Sequence, residues 1–116
     1  MKATCWRSGR RLRAAEQLQA HYAEVFERDM GCTEAEWLGW LPAALGNNRW
    51  QRDGASAQVA IHSGSLRIAW QPASPRSLGQ VRIPRLLVRF VFADVDERQR
   101  HTFMKRFDLY MQRGGG

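Results

Sequence analysis

Apolar residues follow two rhythms along this chain, and the change of rhythm divides it. Leu18, Tyr22, Val25, Phe26 and Met30 recur at three- and four-residue steps, which predicts a helix over 10–30 with one apolar stripe. Ser8 suits its N-cap and Gly31 its stop. Thr33-Glu34-Ala35-Glu36 has capping-box spacing, in which the hydroxyl and the carboxylate each satisfy a free backbone N–H, so a second helix is expected from Glu34. Pro42 has no N–H to give the helical ladder, so this helix is expected to end or kink near Gly39 to Leu41, with room for one more turn over Ala43 to Leu45 before Gly46.

The period then drops to two. Val59 and Ile61 alternate with small or polar residues, Ser63-Gly64 marks a turn, and Leu66, Ile68 and Trp70 resume the alternation, which predicts a β-hairpin. Residues 72–79 read as a loop rich in Pro and Ser, and a longer strand is expected over 80–92. Its apolar parity flips at Pro84-Arg85, which predicts a bulge or break there. Asp94-Val95-Asp96-Glu97 is a second capping signature, and Phe103, Phe107 and Tyr110 give the following helix its stripe up to Arg113. The expected fold is α+β in the order α-α-β-β-β-α, a three-stranded antiparallel sheet with helices packed on one face. Residues 1–113 would form a single basic domain and 114–116 a flexible glycine tail.

Composition adds charge to this picture. The chain of 116 residues carries a formal +7, and 16 of its 18 basic residues are arginine. GC-rich codon usage produces such a bias; so does recognition of phosphate or carboxylate, which the planar guanidinium fork grips with two parallel hydrogen bonds. Residues 1–13 sum to +5, 14–48 to −5, 49–92 to +6 and 93–116 to +1. The predicted first helix would have arginines at its positive end and Glu24, Glu27 and Asp29 at its negative end, against its dipole. Alternation puts Arg67, Arg82 and Arg89 opposite the core residues, with Arg85 beside Pro84 and with Leu87 and Val91 interspersed. Two readings follow: pairing of these arginines with the acidic helices inside the domain, or a face for an anionic partner formed by Arg7, Arg10, Arg11, Arg13, Arg67, Arg82, Arg85 and Arg89. The run Leu86 to Ala93 is too short and too interrupted to span a bilayer, and the N-terminus has no apolar signal region, so a cytoplasmic protein is expected.

The remaining features carry weaker chemistry. Cys5 and Cys32 stand outside any C-x-x-C spacing and read as free thiols, and no catalytic, metal or cofactor site is predicted. Trp37, Trp40, Trp50 and Trp70 read as core, with an apolar pocket or partner surface as the alternative. Glu97 and His101 are spaced as an ordinary i,i+4 surface pair. The terminal glycines follow a helix, unlike the strand-borne tails of ubiquitin-like carriers.

The stretch Arg106-Phe107-Asp108-Leu109-Tyr110-Met111-Gln112-Arg113 with its glycines resembles the end of small proteobacterial proteins to which no activity is assigned, so that resemblance implies no function. In size, charge and element order the chain also resembles the RelE/ParE-type toxins. That resemblance implies a first strand over 2–6, with arginines 82, 85 and 89 and His101 or Tyr110 as acid/base and phosphate-clamping residues. The leading expectation is a non-enzymatic binding module for nucleic acid or an acidic protein. The alternatives are a toxin ribonuclease, and a homodimeric adaptor or apolar-ligand-binding protein joined through the strand 86–92.

Overall fold

The computed structural model of the chain describes residues 21–115. Five strands and two helices follow one another: β1 (Val25–Met30), α1 (Glu34–Leu45), β2 (Trp50–Asp53), β3 (Ser56–Ile61), β4 (Gly64–Leu78), β5 (Val81–Ala93) and α2 (Glu97–Gly115). The strands form one antiparallel sheet in the order β1-β5-β4-β3-β2. The fold is α+β, but the expected three-stranded sheet is corrected to five strands.

The two extra strands, β1 and β2, come from segments whose sequence misleads or shows no alternation. The predicted helix over 10–30 fails at its C-terminal end, where residues 25–30 pair with β5 from Val25↔Val91 to Met30↔Leu86; residues 10–20 lie outside the described residues. The segment Val-Phe-Glu-Arg-Asp-Met fits both periods, since Phe26 and Met30 share a face at either spacing. Pairing as a strand gives Glu27 and Asp29 arginine partners on β5 and β4, where a helix would have set both acids against its dipole. The strand β2 is short and polar, so it shows no alternation, and it is held by register with β3.

Two-residue turns at Gly54-Ala55, His62-Ser63 and Gly79-Gln80 link β2 to β5 into a meander. Each has positive φ at its first position, the pattern that matches strand twist in tight hairpins. The segment over 72–79, expected to be a loop, is instead largely strand. Pro72 and Pro75 are tolerated because they lie beyond the last β3 pairing, Ser56↔Ala69, where among the described residues no strand pairs with that edge of β4. The break expected at Pro84 falls on the opposite strand, where the register shifts between Ala73 and Arg76.

Both helices cover the sheet face formed by Leu66, Ile68, Trp70, Leu86, Val88, Phe90 and Phe92, all buried. Trp37 of α1 packs on Trp70 at 5.7 Å and on Phe107 of α2 at 6.0 Å, and Phe107 meets Phe90 edge-on at 5.5 Å. The Thr33–Glu36 capping box forms with bonds of 2.9 and 3.1 Å. The helix it starts runs through Pro42 to Leu45, taking in the further turn over 43–45, because Leu41, Ala44 and Leu45 are all drawn into the core. The second box forms two residues later than its signature: Asp94 turns out of β5 at φ 59, and Asp96 and Gln99 cap α2 reciprocally at 3.1 and 2.8 Å. That helix continues to Gly115, past the expected end at Arg113.

Candidate nucleic-acid interface

The hairpin β4–β5 is longer than its neighbours. β1 stops opposite Leu86 and β3 opposite Ala69, so residues 73–85 continue as a ribbon of two strands and a turn. At about 3.3 Å per residue this arm reaches roughly 20 Å beyond the sheet. Ser74 through Arg82 are all exposed, and Leu78 and Val81, paired across the strands beside the turn, are 59% and 60% exposed. From Gly64 to Ala93 the hairpin carries five arginines (67, 76, 82, 85 and 89) and no acid.

Those arginines divide between pairing and exposure. Arg85 donates from Nε to both carboxylate oxygens of Asp29, at 3.0 and 3.2 Å, and from Nη1 to the Ser74 carbonyl at 3.3 Å. The hydrogen bond to Asp29, and the charge behind it, hold the Arg85 guanidinium above its ordinary pKa. Arg76 approaches the same carboxylate at 3.5 Å, so one acid faces two cations at the base of the arm. Arg89 pairs with Glu27 at 3.2 Å on the open sheet face. Arg67 and Arg82 are exposed and have no acidic partner among the described residues. The internal pairing expected with acidic helices therefore occurs with an acidic edge strand, and it covers part of the set. Arg7, Arg10, Arg11 and Arg13 lie outside the described residues.

The sheet face bearing Arg67 and Arg89 also shows Val25, Leu87, Val91, Ala69 and Gln58, and among the described residues no aromatic ring. Phe90 and Phe92, which alternate with the arginines, lie under the helices. A stacking platform for single-stranded bases is therefore missing from this face.

The other predicted groupings come apart. Arg85 and Arg89 project from the open face while His101 and Tyr110 belong to α2 on the other side of the sheet. Arg82, expected opposite the core residues with Arg67 and Arg89, takes instead the parity of Leu86 and Val88 but out on the arm, so the toxin-like acid/base set is not brought onto one face of the sheet. Glu97 hydrogen-bonds to His21, and that bond holds its carboxyl below the usual range, with His101 a lesser electrostatic neighbour; the His101 ring also sits 5.9 Å from Tyr22. The strand 86–92 is flanked by β1 and β4, so it is no edge to join a second copy. Trp37 and Trp70 are buried together, with Trp70 Nε1 donating to Glu34 at 2.9 Å, while Trp40 and Trp50 are half-buried against the core. A shallow basin of about 560 Å³ on α2 is lined by His101, Thr102, Lys105, Arg106, Leu109 and Tyr110, with no tryptophan. Among the described residues no three His, Cys, Asp or Glu side chains gather as metal ligands, and no helix is long and apolar enough to cross a membrane.

Sequence reasoning missed one ionic cluster. Arg28 reaches inward from β1, bonds Asp108 of α2 through both nitrogens, with Nη2 at 3.0 Å from Oδ2, and stacks over Phe26 and Phe90 at 5.4 and 5.6 Å. Tyr22 donates to the same carboxylate at 2.9 Å. Burial opposes the charge on Arg28, but Asp108 outweighs it and holds the guanidinium above its ordinary pKa. This cluster pins β1 to α2. Its signal was the lone Arg28 among acids, legible only once β1 is a strand.

No protein-family model, curated protein or solved structure matches this chain. The interface is therefore read from its own chemistry.

Proposed function

We propose that this protein is a binding module for an anionic partner, with duplex nucleic acid the class that its geometry favours. The observation that carries the reading is the arm: a solvent-exposed two-stranded ribbon with Arg76, Arg82 and Arg85 and no acid of its own. A hairpin of two strands is marginal in isolation, so exposing one at this length points to a use outside the fold. A two-stranded ribbon of this kind fits a groove of duplex DNA, while guanidinium forks suit the phosphates beside it. The ring-free open face favours a duplex over single strands.

Titration of the full chain with labelled duplex, single strand and an acidic peptide at several salt concentrations tests this. Duplex binding is expected to weaken with salt, and Arg82→Gln to reduce the logarithmic slope by about 1, one phosphate contact. Duplex binding no tighter than that of an unrelated protein of equal charge would overturn the reading, and tighter binding of the acidic peptide would reassign the partner to protein.

A further inference from the structure

We propose that the tip of the arm acts as an apolar wedge, with Leu78 and Val81 entering the base stack of a bound duplex and bending it. The inference rests on the duplex-binding reading and adds how the duplex is deformed. Leu78 and Val81 are the two most exposed large apolar side chains among the described residues, and they are direct cross-strand partners at the far end of the molecule. Among the described residues neither packs against the core, so most of their apolar surface is left to solvent. The turn between them is narrow: Gly79 takes φ +61, which a side chain rarely adopts, and a Cβ there would meet no atom within 4 Å. The tip therefore ends in two aliphatic side chains with only Gly79 and Gln80 between them.

The cations stand where a wedge needs them. Arg82 follows Val81 directly, and Arg76 lies two residues before Leu78. When an aliphatic wedge opens a base step, the cost of unstacking is offset by contacts that the bent duplex makes with more of the protein. Arg82 has no acidic partner among the described residues, so it meets phosphate without first breaking an ion pair. Arg76 has only its 3.5 Å approach to Asp29 to give up, and that carboxylate keeps Arg85. An anionic membrane surface would also accept an apolar tip among cations. Arginines continuing down the shaft to Arg85 and across to Arg67 favour a groove that follows the ribbon along its length.

Energy transfer between dyes at the two ends of a duplex of about 30 base pairs reads the bend. Saturating wild-type protein is expected to raise the transfer. The double variant Leu78→Ser/Val81→Ser is expected to lose most of that rise while its Kd weakens by no more than about tenfold. Its melting temperature should match wild type, since both side chains are exposed. A wild-type complex that is tight but unbent, or a tip variant that bends the duplex as fully as wild type, would overturn the wedge and leave the binding module standing. Failure to bind duplex above an equal-charge control would overturn both. Tip-dependent binding to phosphatidylserine vesicles in that case would assign the tip to a membrane instead.

Discussion

Trp37 and Trp70 pack against each other at a tilt in the core, yet their ring nitrogens differ. Trp70 Nε1 donates to Glu34, whereas Trp37 Nε1 is buried with no partner. A buried donor left unpaired costs about 1–3 kcal/mol, so Trp37→Phe removes a penalty along with some packing. It is expected to change stability by no more than about 1 kcal/mol, while Trp70→Phe is expected to cost about 2 kcal/mol; urea denaturation of both variants checks the contrast. Cys32 is the other informative residue. Burial, with the Glu36 charge behind it, pushes its thiol from an ordinary 9 up to about 11. Burial, then Asp108, likewise raises the Tyr22 hydroxyl above its usual value. Both groups hold their protons more tightly in the folded than in the unfolded chain. The stability they contribute is complete below the unfolded values and is lost as pH rises through the folded ones. The melting temperature is expected to fall from about pH 9 upward. In a Cys5→Ser background the Cys32 thiol should react slowly with a disulfide reagent at neutral pH until urea is added.

At the scale of elements, β1 decides the architecture. Its strand pairing, the Arg28–Asp108 bonds and the Tyr22 hydroxyl all tie it to β5 and α2. Asp108→Asn would leave Arg28 charged, mostly buried and without its carboxylate. This is expected to cost about 2 kcal/mol in urea denaturation, while Glu27→Gln, on an exposed pair, should cost less than about 1 kcal/mol. The same strand marks where sequence reasoning failed. Helices α1 and α2 and the hairpin β3–β4 were legible because their apolar periods are unambiguous and capping residues flank the helices. At Val25–Met30 the inward pair Phe26 and Met30 satisfies periods of 2 and 3.6 alike, and the choice rests on partners far along the chain. Two prolines hid the outer half of β4, since the free edge that tolerates them exists only in the assembled sheet. Of the interface, alternation placed Arg67 and Arg89 on the open face correctly and Arg82 wrongly, since the irregularity beside Pro84 falls on β4 and leaves Arg82 on the side of Leu86 and Val88. The projection of the arm depends on where β1 and β3 stop, which no local pattern records.

At the scale of the molecule, charge is sorted by strand. The acids of β1 neutralise Arg89 and share Arg76 and Arg85, while Arg67 and Arg82 remain available among the described residues. Net charge alone would attract any polyanion, so total charge is the quantity a decisive measurement must hold constant. Two double variants of equal formal charge do this in the full chain. Arg76→Gln/Arg82→Gln strips the arm; Arg49→Gln/Arg98→Gln removes two exposed arginines away from it. Measured against the same labelled duplex at one salt concentration, the arm variant is expected to bind at least about tenfold more weakly than wild type, and the off-arm variant within about threefold of it. Equal losses in the two variants would contradict the account, because they would make the attraction a property of overall charge with no place for the arm.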